Sequence, residues 1–467
     1  MFVVGLIVPT ALGFVVTLLV APGVKFWERL ALGYGLGFAL LTLAMFFLNV
    51  VGIKFSLQNT LILVGGIFFG LLGYFIKKNW TARFSVRKIH LFRRIKEALG
   101  SLSIFEKIIV SLLCFFIFSN IVIGVYWPVY WSDALTVYDF RAKLLTSTLS
   151  FLQAASLDVW YPESVFSYPP MTSLVHTWLY LWGWANPKVF YPLLLISLAT
   201  IFYYSLRDHS PRYHCLIFTL ILVTVPHLFT HATSAYTNFP FAFYFSVATL
   251  CLYRWMSQQK RGFLVLAGIF LGLSSWVRYE SEIFFFGYLA VLVVFSLSRK
   301  RYFAPFLFAL LYFTIQPLWK IYYQRVLHLG TSSAVTSRVS DTLSMSGELL
   351  NLMRWKEVMV FLWEWVGYFN VTLALLVVTS LLYIDRVRKH RFLLLMIASS
   401  LILLVVATYI FSLTAAGWNS SGTGGSVRRL FIMFLPIMWY FIAVMTAEPK
   451  VPNPNSESAH TLPRGES

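Results

Sequence analysis

Apolar segments of roughly 20 residues recur along almost the whole chain, and short polar or basic stretches separate them. Each segment is long enough to cross a hydrocarbon layer about 30 Å thick as a helix. The alternating apolar and polar residues typical of a membrane β-barrel are absent from the sequence, and open strand edges are not tolerated in lipid. The pattern predicts an all-α, polytopic helical membrane protein with about 13 transmembrane helices.

The composition agrees with a chain that resides in lipid, since 59% of its residues are hydrophobic, 18% are aromatic and only 12% are charged. The formal net charge is +19, which by itself is compatible with nucleic-acid binding. The basic residues, however, lie in short clusters between apolar segments, as the positive-inside rule describes. We therefore expect the lipid bilayer as a partner, and no nucleic acid.

The basic clusters set the predicted topology. The segment 77–97 carries eight Lys or Arg residues, which assigns it to the cytoplasm. Between the later clusters there is room for two helices each time, so the intervening turns are expected on the opposite face. These later clusters are 207–212, 260–261, 299–301 and 386–391. The N-terminus is then expected outside, and the polar C-terminal tail inside and disordered.

Counting back from the clusters divides the chain into regions. The helix at about 104–127 leaves the cytoplasm, which makes 128–188 a long first outer loop, with four spans before it and nine after it. Inside this loop the apolar stretch 171–184 would break the parity as a full span, so it predicts a half-helix or juxtamembrane helix. The predicted regions are N-terminal helices of unknown role (1–76), a basic cytoplasmic loop (77–103), the main transmembrane region (104–446) with further outer loops at 319–357 and 414–427, and the tail (447–467).

Charged residues gather at the start of the first outer loop, in the stretch VYWSDALTVYDFRAKLL (129–145). A helix is expected over 134–149. Asp133 then either caps this helix or is held for chemistry at the membrane edge by neighbouring Trp and Tyr residues. Asp139 is expected to pair with Lys143 four residues later, and it lies ~120° around the helix from Asp133.

Two later outer turns carry arginines at membrane level, where several cations and a carboxylate can bind a phosphate and deprotonate a nucleophile. Arg278 lies beside Glu280 and Glu282, and the alternative interpretation is a local ion pair at a tight turn. Arg428 and Arg429 lie before the last helix, and the alternative is that they anchor the chain at the interface.

The remaining polar residues suggest no metal or nucleotide motif. No spacing of His, Cys, Asp or Glu indicates a zinc site. Gly422, Gly424 and Gly425 predict a flexible loop rather than a phosphate-binding loop. His176 and His231 are expected to pack among aromatic residues.

Several stretches, in this order, resemble the polytopic GT-C glycosyltransferases, above all the protein O-mannosyltransferase and aminoarabinose-transferase branch. They are WSDALTVYDFRAKLL, SYPPMTSLVHTWLYLWG, TSAYTNFPFAFYF, GLSSWVRYESEIFF and GGSVRRLFIMFLPIMW, and the likeness covers about 125–445. Family members often have two adjacent acidic residues where Ala134 follows Asp133 here, and Asp where this chain has Asn238. A divalent metal is possible, but fewer carboxylates are available to hold it.

The resemblance implies an inverting enzyme that moves a sugar from a polyprenyl-phosphate donor to a hydroxyl of a protein, lipid or glycan acceptor. It implies that Asp133 is the base and that Arg428 or Arg429 binds the lipid phosphate, so that 104–446 is the catalytic region. Further substrate contacts are expected from Asp139, Arg141, Lys143, Tyr168, Pro169, Pro170, Arg278 and Glu280. The active site is expected on the outer face of a bacterial or archaeal plasma membrane.

Two alternatives stay open from the residues alone. A lipid-linked glycan polymerase or ligase also keeps arginines in its outer loops. A transporter or lipid flippase is expected to carry charges or broken helices near the middle of the membrane, whereas the ionisable residues here gather at helix ends.

Overall fold

The computed structural model describes residues 2–79, 100–157, 162–329, 351–414 and 418–447. Within these residues every regular element is a helix, and there is no β-strand. Nine of the described helical segments are long and apolar enough to cross a membrane. The chain is thus an all-α, polytopic helical membrane protein, as the sequence predicts.

The described helices follow one another in this order: α1 (Val4–Val20), α2 (Phe26–Val50), α3 (Leu57–Asn79), α4 (Ile104–Tyr126), a π-helix (Ala134–Asp139), α5 (Phe140–Thr148), α6 (Phe151–Ala155), α7 (Pro162–Ser167), α8 (Met171–Leu181), a 3₁₀-helix (Pro187–Val189), α9 (Phe190–Leu206), α10 (Arg212–Thr224), α11 (Pro226–His231), α12 (Asn238–Gln258), α13 (Arg261–Val277), α14 (Ser281–Ser298), α15 (Phe303–Phe313), α16 (Pro317–Arg325), α17 (Leu352–Val366), a 3₁₀-helix (Gly367–Phe369), α18 (Asn370–Leu382), α19 (Ile384–Lys389), α20 (Arg391–Thr414), α21 (Ser421–Phe431), a 3₁₀-helix (Ile432–Phe434) and α22 (Leu435–Thr446).

The number of apolar helices agrees with the predicted spans, but α16 and α17 extend into the segment 319–357 that was predicted as an outer loop. Besides the nine long segments, three shorter apolar helices, α1, α10 and α13, occupy predicted spans. Helix α12 occupies one more, with 21 residues that are buried along nearly their whole length. Parts of the predicted regions lie outside the described residues, namely 80–99 of the basic loop, 158–161 of the first outer loop, 330–350 and 415–417 of the later outer loops, and 448–467 of the tail.

Helices α1 and α2 pack backbone against backbone through glycines. A methyl group on Gly37 would lie 1.7 Å from the carbonyl oxygen of Pro9, and one on Gly13 would lie 2.0 Å from the carbonyl oxygen of Gly33. Small residues of this kind let membrane helices approach closely, because dispersion contacts and not hydrophobicity drive their association in lipid.

The first helices also contact the main transmembrane region. The hydroxyl of Tyr34 donates to the carbonyl oxygen of Phe190 at 3.1 Å, and that of Tyr244 donates to Gly35 at 2.7 Å. The indole of Trp178 donates to the carbonyl oxygen of Gly5 at 2.7 Å. Residues 1–76 therefore include helices that form part of the same bundle as the region that follows.

The first outer loop contains short helices, as predicted. The π-helix and α5 together cover the helix expected over 134–149, and α5 ends where Leu149 adopts a left-handed conformation (φ 58°). Helix α8 begins directly after Pro170 and its first nine residues, Met171–Leu179, are buried. Its 11 residues extend only about 16 Å, too short to cross the hydrocarbon layer.

The polar contacts divide the loops between the two ends of the bundle. At one end, which we call the site face, Asp133 contacts Arg429, and the indole of Trp184 donates to the carbonyl oxygen of Phe2. At the other end, which we call the basic face, Arg212 pairs with Glu106 at 2.7 Å. The clusters at 299–301 and 386–391 contribute residues to one cavity on this face.

The segment before Arg428 differs from the predicted flexible loop. Helix α21 begins at Ser421, so Gly422, Gly424 and Gly425 are helical. The hydroxyl of Ser420 accepts a hydrogen bond from the backbone N–H of Thr423, which caps the helix. The prediction of a flexible loop from the glycines is therefore wrong for these residues, because tertiary packing and a cap stabilise helix there.

Candidate functional site

Asp133 and Arg429 contact one another at the site face, although 296 residues separate them in sequence. The Oδ2 atom of Asp133 accepts a hydrogen bond from Arg429 Nη1 at 2.6 Å. The side chain of Asp133 is 45% exposed and that of Arg429 is 27% exposed, so solvent reaches the pair. The helix-cap interpretation of Asp133 is wrong, because its backbone is already helical (φ −61°, ψ −32°) and its carboxylate accepts no hydrogen bond from the helix N–H groups.

Aromatic rings border this ion pair. The Arg429 guanidinium lies over the ring of Tyr236, 5.1 Å from its centroid, and the rings of Tyr236 and Trp131 are 6.2 Å apart. Ser426, one turn earlier on α21, accepts a second hydrogen bond from Arg429 at 3.2 Å. Arg429 is thus held by Tyr236 and Ser426, while 45% of the Asp133 side chain is exposed in the part of the chain that the structure describes.

Arg428 has a different environment from its neighbour. Its guanidinium lies 5.8 Å from the ring centroids of both Trp365 and Tyr368, and no carboxylate among the described residues pairs with it. The imidazole of His227 lies 4.3 Å from the Tyr368 ring, and His231 lies beside His227. Burial, reinforced by His227 and the two arginines, lowers the pKa of His231 to about 3, so that imidazole is neutral at physiological pH.

Arg278 forms the local ion pair that the sequence left as one of two interpretations. Its Nε lies 3.1 Å from Glu280, and its Nη2 contacts the other carboxylate oxygen of Glu280. Its Nη1 donates to the hydroxyl of Thr237 at 3.1 Å, and Thr237 donates to the hydroxyl of Tyr138 at 3.2 Å. Burial works against ionisation of Glu280, but Arg278 outweighs it and lowers the pKa of this carboxyl group.

Tyr168 lies between the two charged pairs. The Arg278 guanidinium is 5.7 Å from the centroid of its ring. Arg278 acts to lower the pKa of Tyr168, but burial and the carboxylates of Glu280 and Asp133 together raise it. The phenol is therefore neutral at physiological pH, and the field of both pairs reaches this ring.

Arg141 is fully buried and donates hydrogen bonds to the Tyr-Pro-Pro segment, residues 168–170. Its three nitrogens donate to the Ser173 hydroxyl at 2.8 Å and to the carbonyl oxygens of Tyr168 and Pro169 at 2.7 and 3.0 Å. Burial lowers the pKa of Arg141 to about 10, which leaves it charged at neutral pH. Pro170 follows this clamp and precedes α8. These contacts place Arg141, Pro169 and Pro170 in the framework of the loop.

Asp139 is the centre of a second buried cluster. Lys143 lies 3.0 Å from its carboxylate, which confirms the predicted pair four residues apart. The same carboxylate accepts from the Tyr180 hydroxyl at 2.6 Å and lies 3.2 Å from His176 Nδ1. The other nitrogen of His176 is 3.0 Å from the Tyr191 hydroxyl, so this imidazole is hydrogen-bonded and not only packed.

The donor set of the described residues does not suggest a metal centre. The described residues contain no group of three or more His, Cys, Asp and Glu side chains placed to hold a metal ion. The partner of Asp133 is a cation, and Asn238, where the resembled family often has Asp, offers no carboxylate. The residues present at the site do not fit the divalent ion that the sequence left possible.

Comparison of the chain with protein-family models, curated proteins and solved structures gives no significant match. The GT-C resemblance therefore stays a prediction that rests on the motifs quoted above.

Several residues of this site were not among the sequence candidates. Tyr236 and Thr237 lie in the TSAYTNFPFAFYF stretch, whose only signal in the sequence is its likeness to the GT-C family. Trp365, Tyr368 and His227 gave no usable signal, because aromatic residues at membrane interfaces are common and need no special role. Only their positions around Arg428 distinguish them.

Proposed function

We propose that the chain is a membrane glycosyltransferase that moves a sugar from a polyprenyl-phosphate donor to an acceptor hydroxyl. The observation that carries the proposal is the contact of Asp133 with Arg429 beside Arg428, which has no carboxylate partner among the described residues. One face of the bundle thus offers a carboxylate and two cations within reach of the membrane interface. A base beside an anion-binding group is what this transfer needs.

The donor phosphate is proposed to bind Arg428 first. A guanidinium matches the phosphate geometry with two parallel hydrogen bonds, and the rings of Trp365 and Tyr368 flank the Arg428 guanidinium at 5.8 Å. A bound phosphate then competes with Asp133 for Arg429. Because an arginine partner weakens a carboxylate as a base, this exchange makes Asp133 more basic only once donor is present.

In the chemical step the acceptor oxygen forms a bond to the anomeric carbon from the face opposite the phosphate. The bond between that carbon and the phosphate oxygen breaks, and its electron pair leaves with the polyprenyl phosphate. The acceptor proton passes to Asp133, which contributes roughly 10²- to 10⁴-fold to the rate. The arginines stabilise the charge that develops on the leaving phosphate, an effect of several kcal/mol.

The other candidate residues have positioning roles in this proposal. Arg141 and Asp139 hold the first outer loop, while Arg278 and Glu280 hold Tyr168 beside the reacting groups. Lys143, whose side chain is 63% exposed, supports Asp139 through their ion pair at 3.0 Å. No step passes through a metal ion, because the donor set does not fit one.

The proposal places the site on the outer side of a bacterial or archaeal plasma membrane. What supports this is the charge distribution: the clusters at 207–212, 260–261, 299–301 and 386–391 belong to loops of the predicted cytoplasmic side. A polyprenyl tail would then extend into the bilayer while its phosphate stays at the interface.

The test is transfer of label from a panel of polyprenyl-phosphate sugars by purified protein in lipid. Asp133→Asn is expected to lose 10²- to 10⁴-fold in kcat, and Arg428→Gln to raise KM for the donor by about 10-fold or more. Asp385→Asn and Arg261→Gln, exposed residues of the basic face, are matched controls. Full activity of folded Asp133→Asn would overturn the assignment, and substrate uptake into vesicles without covalent transfer would favour the transporter alternative.

A further inference from the structure

A second group of cations surrounds a cavity on the basic face, at the opposite end of the bundle from Asp133. The cavity has a volume of about 830 Å³ and lies where α12, α14, α20 and α22 end or begin. Its cationic lining residues are Arg299, Arg386, Arg388, Lys389 and Arg391. The proposed transfer reaction uses none of them.

The carboxylates near these cations already form ion pairs. Asp208 is the one carboxylate among the described residues that line the cavity, and it lies 3.2 Å from Arg254 and 2.8 Å from Gln258. Asp385 pairs with Arg388 at 3.2 Å. In the part of the chain that the structure describes, no carboxylate pairs with Arg299, Lys389 or Arg391. Those three side chains leave net positive charge at the cavity.

The walls of the cavity are held in place before any ligand arrives. Arg386 donates to the carbonyl oxygens of Met445, at 2.6 Å, and of Ala447. The hydroxyl of Tyr253 is hydrogen-bonded to His390 Nδ1. Burial, together with nearby His209, Lys389 and Arg386, lowers the pKa of His390 to about 4. The imidazole of His390 is therefore neutral at physiological pH and adds no positive charge to the cavity.

The positive-inside rule explains why basic residues occur on this face, but not why some of them surround a cavity. Lys107, Arg261 and Arg301 are also exposed residues of the same face, but they do not line the cavity. Membrane topology alone therefore does not explain why five cations surround one cavity.

We propose that this cavity binds a phosphate-bearing anion, and that its source is the headgroup of an anionic phospholipid. Phosphate is the anion that several convergent arginines and lysines recognise best. Phe295 and Phe392, whose rings are 5.0 Å apart, line the same cavity and belong to the ends of membrane spans. Val294 and Leu297, which are 56% and 60% exposed on α14 just before Arg299, offer apolar surface for acyl chains, which a soluble phosphate does not have. Basic pockets between spans are a known mode of lipid binding.

The test uses full-length protein in nanodiscs of phosphatidylcholine with a small fraction of fluorescent phosphatidylglycerol. The variant Arg299→Gln/Lys389→Gln/Arg391→Gln is expected to bind the anionic lipid at least about 10-fold more weakly. The control Lys107→Gln/Arg261→Gln/Arg301→Gln loses the same charge outside the cavity and is expected to change affinity less than about 2-fold. The single variant Lys389→Gln changes an exposed residue and is not expected to disturb folding. It is expected to weaken binding of the anionic lipid about 5-fold.

Competition then identifies the source of the phosphate. Lipid binding that inorganic phosphate does not displace, compared with sodium chloride of equal ionic strength, supports the phospholipid. Displacement by inorganic phosphate supports a soluble phosphate ligand of the same cavity. Equal loss in both triple variants, or equal retention of phosphatidylglycerol and phosphatidylcholine, would overturn the proposal. Sugar transfer is measured at the other face, so failure of either proposal can be recognised separately.

Discussion

Arg141 is fully buried, and its guanidinium donates to the carbonyl oxygen of Tyr168 at 2.7 Å. Both residues belong to the first outer loop and are 27 positions apart in sequence, so this contact holds two parts of the loop together. Ser173, on α8, accepts from the same guanidinium and in turn donates to the carbonyl oxygen of Tyr138 at 2.9 Å. The Tyr-Pro-Pro segment is therefore fixed by an arginine that lies within the protein.

Arg141→Met is expected to destabilise the protein strongly. The change removes three hydrogen bonds from a charged donor and leaves the carbonyl oxygens of Tyr168 and Pro169 buried without a partner, at a cost of roughly 3 kcal/mol or more. Thermal unfolding and limited proteolysis of the loop measure the effect. Lys143→Gln, on the same helix but 63% exposed on its side chain, should cost less than about 1 kcal/mol. Equal melting temperatures for Arg141→Met and the wild type would contradict the clamp.

The stability of the first outer loop is expected to fall in acid because of Asp139. Burial would raise the pKa of this carboxyl group, but hydrogen bonds from His176, Tyr180 and Lys143 outweigh it and hold the pKa below its usual range. An unfolded Asp titrates near 4, so the unfolded state binds more protons below that pH and stability decreases as the pH falls towards the folded pKa.

Unfolding measured between pH 7 and pH 3 tests this expectation. The stabilisation from Asp139 should be complete above about pH 5 and decline below it. Asp139→Asn should be less stable at pH 7 and should show a shallower decline in acid. A variant with the wild-type slope would assign the acid sensitivity to other carboxylates.

Gly424→Ala is expected to disturb the surroundings of Arg428, whereas Gly425→Ala is not. A methyl group on Gly424 would lie 2.0 Å from the ring of Trp365, which contacts Arg428, while one on Gly425 would meet no atom within 4 Å. Both glycines are in α21, and Ala is the better helix former by about 1 kcal/mol. We expect Gly425→Ala to be neutral or stabilising, and Gly424→Ala to lower both the melting temperature and donor affinity. Identical behaviour of the two variants would contradict this packing.

Gly37→Ala is expected to separate α1 from α2, with a loss of roughly 1–3 kcal/mol from overpacking. The added methyl group would lie 1.7 Å from the carbonyl oxygen of Pro9. Gly65→Ala in α3 is the matched control, since nothing lies within 4 Å of its added methyl group. Thermal stability in detergent distinguishes the two variants. If Gly37→Ala has the same melting temperature as Gly65→Ala, the close approach of α1 and α2 is not required for the fold.

The sequence by itself determined the elements whose causes are local. Long apolar segments can only be helices in lipid, which decides the all-α class and the position of the spans. Proline at 170 decides where α8 begins, and spacing of four residues brings Lys143 to Asp139. Arg278 and Glu280 are only two residues apart at a turn, so their pairing was also foreseeable as one interpretation.

Only the tertiary structure decided which helix ends meet. The sides of a membrane helix that face lipid and those that face other helices are both apolar, so periodicity does not show which neighbours a helix has. The contact of Asp133 with Arg429, the burial of Arg141 and the rings around Arg428 all depend on that lateral packing. The sequence supplied these side chains. The arrangement of the helices determined that Arg141 is buried as a structural contact, and that Asp133 and Arg429 are accessible to solvent at the site face.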